Sequence, residues 1–153
     1  MNKGRNYRDS LKDMSLTLLA EGKTIRIKAS GYSMYPAIKP GSLLLIEPLS
    51  KKGRPVPGEI VAIKRENGLV VHRVTKMTTK NGMTWYIARG DSNPRSDHPV
   101  TIDKIAGRII KAEPTGENPD PADIRINKNP FYFINRIRVI FIFIRKKIKN
   151  YRG

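Results

Sequence analysis

Hydrophobic and polar residues alternate along much of the first 112 residues, and this pattern predicts a series of short β-strands. The exception comes near the start of the chain. Over residues 9–21 the apolar side chains recur at helical spacing behind Ser10, a candidate N-cap, and this spacing predicts a helix. These apolar residues are Leu11, Met14, Leu18 and Leu19.

Six or seven strands are expected after this helix. Two Asn-Gly dipeptides, Asn67-Gly68 and Asn81-Gly82, predict tight hairpin turns between neighbouring strands. The fold class that follows is mostly β: a compact domain of short antiparallel strands with a short N-terminal helix, covering residues 1–112. The predicted strands lie near residues 23–30, 42–48, 59–65, 69–76, 83–90 and 106–112.

Beyond this domain the chain changes character twice. Residues 113–130 contain four of the eleven prolines together with several Asn and Asp residues, and they are predicted to form a linker. Residues 131–153 mix Ile and aromatic residues with Arg and Lys, and they include no acidic residue. As a helix this tail is amphipathic and basic, which is typical of segments at an anionic membrane surface. Packing on the β domain or on a second subunit, as a homo-oligomer, is the alternative.

Composition limits the function further. A chain of 153 residues is about one ordinary domain, and it is long enough to bury a hydrophobic core. Its formal net charge of +17 favours anionic partners such as phospholipid, nucleic acid or an acidic polypeptide. Because there is no cysteine, the sequence excludes disulfides, Cys-ligated zinc and thiol catalysis. We find no signal peptide and no transmembrane helix, so we expect a cytoplasmic protein or one peripheral to the cytoplasmic membrane surface.

Two residues stand out as candidates for chemistry. Ser33 lies in a turn between Gly31, which allows an unusual backbone conformation, and Pro36, which disfavours helix at the preceding residue. A nucleophilic serine requires such a stiff bend, a nearby base and free backbone N–H groups. His72, one of only two histidines, lies within a predicted strand and is the candidate base. Taken alone, either residue is more often structural.

Three short motifs resemble those of the type I signal peptidases, and they occur in the order that this family has. The motifs are G-Y-S-M-Y-P at residues 31–36, G-E-I-V at 58–61 with V-H-R-V at 71–74, and R-G-D-S-N at 89–93. An acidic residue, Asp97, follows six positions after Asp91, as it does in the family. The resemblance implies a signal-peptidase-like β domain, a fold that the related self-cleaving repressors share.

The resemblance also implies a role for each matching residue. Ser33 matches the nucleophile. His72 stands where bacterial members have a Lys base, and histidine at this place is similar to the archaeal and endoplasmic-reticulum branch. Asp97 matches the acidic partner of that histidine, and Asp91 matches a second acidic position that supports the site.

Three positions around the nucleophile match the substrate-binding and oxyanion region of the family: Gly31, Met34 and Ser30. Gly31 occupies the place where many bacterial members have a serine, which leaves Ser30 as a nearby hydroxyl. The Gly-Asp pair that usually opens the following strand is Gly41-Ser42 here. The N-terminal membrane helix of signal peptidases has no counterpart in this sequence.

Two further residues are candidates for a catalytic or metal-binding role. Lys64, near the end of a predicted strand, is a rival to His72 as the base. His98 directly follows Asp97, but no recognisable metal-ligand spacing surrounds it, so neither a metal nor another cofactor is expected.

The expected function is that of a serine endopeptidase which removes a leader or signal segment from a precursor polypeptide. The substrate would bind in an extended form, adding a strand to an exposed sheet edge. A self-cleaving repressor is disfavoured because only about 22 residues precede the first predicted strand, too few for a DNA-binding domain. The remaining alternative is a non-catalytic basic module that binds an anionic membrane surface or nucleic acid. No nucleic-acid-binding motif is present, so nucleic acid is not the expected partner.

Overall fold

The computed structural model describes residues 3–51, 53–66, 68–114 and 131–151. Within these residues one helix lies at each end of the chain, α1 (Lys3–Ala20) and α2 (Tyr132–Tyr151). Between them lie β1 (Ile25–Lys28), β2 (Leu43–Glu47), β3 (Ile60–Arg65), β4 (Gly68–Lys80), β5 (Met83–Arg89), β6 (Val100–Thr101) and β7 (Ile105–Glu113). Short 3-10 helices at Leu49–Lys51 and Ile102–Lys104 precede β3 and β7. The mostly β fold is therefore confirmed, whereas residues 115–130 of the predicted linker lie outside the described residues.

The described strands form one antiparallel sheet in the order β1-β2-β7-β3-β4-β5-β6. Strands β3 to β6 follow one another as a meander. Strand β7 instead returns to the middle of the sheet, where it pairs with β2 on one side and β3 on the other. As predicted, Asn81 and Gly82 form a tight turn between β4 and β5, with φ angles of 51° and 72° that suit a hairpin. The other predicted turn includes Asn67, which lies outside the described residues.

Helix α1 begins at Lys3, so the prediction of Ser10 as its N-cap is wrong. The apolar spacing marked the C-terminal part of the helix, where Leu19 is buried and Leu18 contacts the same cluster, whereas Leu11 and Met14 are exposed. The sequence of residues 3–9 has no apolar stripe, so it gives no periodic signal of a helix.

Two hydrophobic clusters cover the two faces of the sheet, and β3 contributes to both. Ile60 and Ala62 belong to the cluster that includes Leu19, whereas Val61 and Ile63 belong to the other. A strand buried on both faces is held in one register, because a slip by one residue would exchange its two sets of side chains. The neighbouring β4, which carries His72 opposite Val61, is thereby fixed as well.

Candidate active site

Ser33 lies in the turn between β1 and β2, and a second loop holds the backbone of this turn. The N–H of Ser92 donates to the carbonyl oxygen of Ser33 at 2.9 Å. The Ser92 hydroxyl lies 2.6 Å from the carbonyl oxygen of Tyr32 and 3.1 Å from that of Ser33. Gly90 permits this approach, since a Cβ there would lie 2.7 Å from the Ser33 carbonyl oxygen. The Ser33 turn and the loop at residues 90–93 are therefore packed as one unit.

Several polar groups of the Ser33 turn remain available to a ligand. Within the described residues, neither the N–H of Ser33 nor that of Met34 donates a hydrogen bond, and the Ser33 hydroxyl has no partner. Backbone N–H groups next to a nucleophile are the usual donors to an oxyanion. The turn thus combines a hydroxyl with nearby unoccupied donors.

A cavity of about 210 Å³ lies beside Ser33. It is lined on one side by the end of β1 and the residues that follow it, and on the other by Leu69, Val70 and Val71 of β4. Met34, which is buried, also lines it. The three positions predicted for substrate binding, Gly31, Met34 and Ser30, all border this cavity. Because its lining is largely apolar, the cavity suits a small apolar side chain.

His72 is paired with Asp97. The Nδ1 atom of His72 lies 2.6 Å from Oδ2 of Asp97, and the histidine is only 6% exposed. Asp97 is held in turn by its own N–H, which donates to the carbonyl of Ala88 at 2.8 Å, and by the guanidinium of Arg65 at 3.8 Å. A carboxylate at Nδ1 favours the tautomer with its proton on that atom, which leaves Nε2 able to accept one. Among the described residues, none forms a hydrogen bond with Nε2 of His72.

Asp91, the second acidic position matched in the sequence, is paired with Arg73. Its two carboxylate oxygens accept from Nε and Nη2 of Arg73 at 2.9 and 2.7 Å, and both side chains are almost fully buried. Arg73 also donates to the carbonyl of Gly58 at 2.8 Å. Asp91 therefore pairs with Arg73, whereas His72 pairs with Asp97, and the Asp91–Arg73 pair anchors the 90–93 loop on β4.

Three further sequence candidates take no part in these hydrogen bonds. Gly31 borders the Ser33 cavity, but it has no positive φ angle and a Cβ there would meet nothing within 4 Å, so the turn does not use the unusual backbone that a glycine allows. Lys64 lies opposite Leu69 in the β3–β4 hairpin and lines a different groove from the Ser33 cavity. His98 is exposed, and no group of three metal-ligating side chains occurs among the described residues.

Helix α2 packs against both loops of the site. The buried side chain of Asn135 donates to the carbonyl of Asp91 at 3.1 Å. Near the other end of the helix, the ring of Phe143 lies 5.1 Å from that of Tyr32, and Lys146 Nζ donates to the Tyr32 hydroxyl at 2.7 Å. Since Tyr32 directly precedes Ser33, α2 contacts the turn that carries the candidate nucleophile.

The first turn of α2 is held by Tyr132. The guanidinium of Arg89 lies 3.7 Å from the centre of its ring, a close cation–π contact. Burial raises the pKa of the Tyr132 hydroxyl, and the Asp91 carboxylate raises it further, against the opposing charges of Arg89 and Arg73.

Comparison with known proteins identifies the family of the chain. Residues 3–110 match the sequence profile of the Peptidase S24-like family. The match covers well over half of the chain and includes Ser33, His72 and Asp97. The chain belongs to the Peptidase S24-like family. Membership in the Peptidase S24-like family supports a serine-peptidase-like or self-cleaving-repressor fold, and so places the resemblance to signal peptidases at the level of their shared superfamily.

The Peptidase S24-like region ends within β7, so α2 lies beyond it. No match to a curated protein was found. Sequence reasoning missed three residues of the Peptidase S24-like region that hold the candidate site: Arg65, Arg73 and Ser92. Arg73 and Ser92 lie inside the V-H-R-V and R-G-D-S-N motifs, so the sequence could have pointed to both residues. It could not have shown which groups they contact.

Proposed function

We propose that this protein is a serine endopeptidase that cleaves a leader or signal segment from a precursor polypeptide. The observation that carries the proposal is the hydrogen bond between His72 and Asp97, 2.6 Å long, which leaves Nε2 of the imidazole able to act as a base. The residues that follow β5 supply both Asp97 and the Ser92 that holds the Ser33 turn. One segment thus supports both halves of the proposed catalytic set.

The proposed reaction proceeds in two steps. His72 Nε2 accepts the hydroxyl proton of Ser33 as Oγ attacks the scissile carbonyl carbon, and the N–H groups of Ser33 and Met34 stabilise the oxyanion. Collapse breaks the C–N bond, and the imidazolium gives its proton to the leaving amine. In the second step His72 takes a proton from water, which attacks the acyl ester. Ser33 is released with its proton restored, together with a carboxylic acid product.

The sheet offers an edge for an extended substrate. β1 is one of the two edge strands of the described sheet, the other being β6, and β5 begins to pair with β4 only at Arg73. Residues 68–72 of β4 therefore pair on one side alone, with β3. β1 and this part of β4 border the same cavity although three strands separate them in the sheet. A peptide added between them would place a small side chain in that cavity.

Self-cleavage is a weaker reading for this chain. The bond expected for self-cleavage by the resemblance to the repressors is Ala-Gly, and the sequence contains one such dipeptide, Ala106-Gly107. It lies within β7, where Gly107 pairs with Ala62 of β3 and a Cβ would lie 2.6 Å from the Glu47 carbonyl oxygen. A bond inside the central strand cannot enter the site without unfolding of the sheet.

The test is cleavage of leader-like peptides that contain Ala-x-Ala sites, read by mass spectrometry. We expect the wild-type protein to cut and both Ser33→Ala and His72→Ala to lose cleavage. Lys64→Ala, which removes the rival base, should still cut those peptides of the panel that carry no acidic residue. Cleavage that persists in His72→Ala but disappears in Lys64→Ala would contradict the assignment of the base. Silence from the wild-type protein on this panel would contradict the proposed specificity.

We further propose that α2 binds an anionic membrane surface. With about 100° of rotation per residue, the side chains that face away from the β domain form one apolar stripe. The stripe contains no charge, and every member is exposed: Phe133, Ile134, Ile137, Ile140, Phe141, Ile144 and Ile148. The opposite side of the helix carries Asn135 and Lys146, which contact the site loops.

The basic residues of α2 lie where a membrane-surface helix needs them. Arg136 and Lys147 flank the apolar stripe on one side, and Arg138, Arg145 and Lys149 flank it on the other. Long cationic side chains at the margins of an apolar face can reach lipid phosphates while the face enters the acyl boundary. None of the described helices is long and apolar enough to cross a membrane, so the proposed attachment is to the surface.

Co-sedimentation with vesicles tests this attachment. We expect binding to vesicles rich in phosphatidylglycerol, weaker binding to pure phosphatidylcholine, and loss of binding in Phe133→Ser/Phe141→Ser. Met83→Ser/Ile110→Ser is the matched control, because it removes two exposed apolar side chains outside α2. If the wild-type protein ignores vesicles but self-associates through the same two phenylalanines, the stripe is instead a homo-oligomer contact. The membrane proposal would then be wrong.

A further inference from the structure

A second and larger concavity adjoins the candidate active site. It has a volume of about 1020 Å³ and lies between α1, the β3–β4 hairpin and the residues around β6. Leu69 and Val70 line both this groove and the Ser33 cavity, so the two spaces are neighbours along β4. Arg65 also lines it and lies 3.8 Å from Asp97, so the groove reaches the His72–Asp97 pair. A substrate held at Ser33 could therefore extend into the groove.

The groove is rich in cations. Its lining includes the basic residues Lys12, Lys64, Arg65 and Lys104, against a single carboxylate, that of Glu66. Lys12 is tied into the groove because its Nζ donates to the carbonyl oxygen of Glu66 at 2.8 Å. Asp103 lies beside the groove, 3.8 Å from Lys104, and it offsets one further charge. An excess of positive charge remains.

Apolar surface separates these cations. Trp85, half-buried, lines the groove together with Leu16 and Val100. This alternation suits a chain with both acidic and apolar side chains. A nucleic-acid backbone would offer phosphates throughout, and it would have no apolar side chain for the neighbouring Ser33 cavity.

We propose that this cationic groove binds an acidic segment of the polypeptide substrate, next to the bond that is cut. This inference rests on the proposed peptidase function and specifies its substrate. Lys64 and Lys104 pair with Asp or Glu side chains of the substrate, while Trp85 contacts an apolar residue between them. Charge at a groove that adjoins a catalytic site contributes mainly to selectivity and to the rate of encounter.

Trp85 provides a direct measurement, because it is the only tryptophan of the chain. Ser33→Ala protein is titrated with a short synthetic peptide that carries an Ala-x-Ala site flanked by Asp and Glu, and with the same peptide carrying Asn and Gln. Binding is followed by Trp85 fluorescence at low and high salt. We expect the acidic peptide to bind about tenfold more tightly than its neutral counterpart at low salt, and this difference to shrink at high salt.

Charge variants locate the effect. In the Ser33→Ala background, Lys64→Gln/Lys104→Gln should abolish the preference for the acidic peptide. The matched control, Lys76→Gln/Lys80→Gln, removes the same two charges from the far end of β4 and should keep it. Lys64→Glu/Lys104→Glu should reverse it, so that a peptide flanked by Lys binds more tightly than the acidic one.

The outcomes separate this inference from the proposed function. Equal binding of acidic and neutral peptides, or equal loss in the control variant, would overturn the groove proposal. A single-stranded oligonucleotide that competes away the acidic peptide at an equal concentration of charge would also overturn it, in favour of a nucleic-acid site. The peptidase proposal depends instead on cleavage by the protein with Ser33 intact. Cleavage without any charge preference would therefore contradict the groove alone.

Discussion

At the residue scale, Asp91 and Asp97 lie only six positions apart, yet their carboxylates have different partners and different roles. Asp97 contacts His72 and remains partly exposed, whereas Asp91 is buried against Arg73. The contact with Asp97 orients the His72 imidazole and determines which of its nitrogens carries the proton. The contact with Asp91 neutralises the buried Arg73 guanidinium, which would destabilise the fold if it were unpaired.

Substitution by asparagine should therefore affect the two positions differently. We expect Asp97→Asn to lower kcat by about 10²- to 10⁴-fold, because the imidazole loses the partner that fixes its tautomer, with little change in stability. We expect Asp91→Asn to lower the free energy of unfolding by about 3 kcal/mol or more, because Arg73 keeps its charge without a counter-ion. Peptide cleavage and urea denaturation measure the two effects. A large loss of stability in Asp97→Asn, or none in Asp91→Asn, would contradict these roles.

Two glycines near Ser33 provide a second comparison. An added Cβ at Gly90 meets the Ser33 carbonyl oxygen at 2.7 Å, so Gly90→Ala should destabilise the protein by about 1–3 kcal/mol and reduce cleavage. Gly31→Ala meets nothing within 4 Å and should be neutral or stabilise by up to about 1 kcal/mol. Thermal unfolding of the two variants checks the contrast. Equal destabilisation of the two variants would show that the close approach to the Ser33 carbonyl oxygen is not what requires glycine at position 90.

The sequence could indicate Ser33, His72 and Asp97 because motif spacing is local and can be read directly from the chain. It could not indicate that Arg73 pairs with Asp91 or that Ser92 holds the Ser33 turn. Those contacts join residues 18 and 59 positions apart, and they depend on how strands and loops meet. Gly31 is the converse case: a glycine allows a left-handed backbone, but the residue type alone did not show that this turn does without one.

At the element scale, the strands were predictable because alternation and Asn-Gly turns report on local geometry. The start of α1 was not, because its first turns carry no apolar stripe. For the tail that contains α2, the sequence predicted a basic segment that is amphipathic if helical, and it left open both its secondary structure and what it contacts. In the structure, Asn135 and Lys146 contact the site loops and the apolar stripe faces outward. The residue types along the helix could not show which face would pack on the β domain.

The docking of α2 should depend on pH through Tyr132. Since its pKa is raised in the folded protein, docking is fully favoured below the ordinary tyrosine pKa of about 10. It weakens as pH rises through the higher folded-state value, because the undocked hydroxyl loses its proton first. Tyr132→Phe removes this titration. We expect the melting temperature of the wild-type protein to fall more steeply above pH 10 than that of Tyr132→Phe, and parallel curves would contradict the assignment.

At the scale of the whole molecule, β7 is the strand on which the sheet depends. It is the only described strand that joins β1 and β2 to the meander of β3 to β6. Gly107 lies in this strand, where a Cβ would come within 2.6 Å of the Glu47 carbonyl oxygen and 2.8 Å of Ile46. We expect Gly107→Ala to separate β2 from β7 and to lower the free energy of unfolding by about 1–3 kcal/mol.

Chemical denaturation with two probes checks this expectation. Because the whole sheet depends on β7, Trp85 fluorescence and far-UV circular dichroism should shift together in Gly107→Ala. Separate transitions would show that the two parts of the sheet are stable without their connection.

The central position of β7 also determines when the cleft beside Ser33 can form during synthesis of the chain. Ser33, His72 and Asp97 all leave the ribosome before residues 105–113 do, yet the cavity beside Ser33 is bordered by β1 and β4, which lie on opposite sides of β7 in the sheet. Contacts so distant along the chain are slow to form, because the entropy of loop closure opposes them. A nascent chain, or one broken off before β7, therefore holds the candidate catalytic side chains without the cleft that would present a peptide to them. We therefore expect the proposed peptidase to gain activity only once β7 is in place.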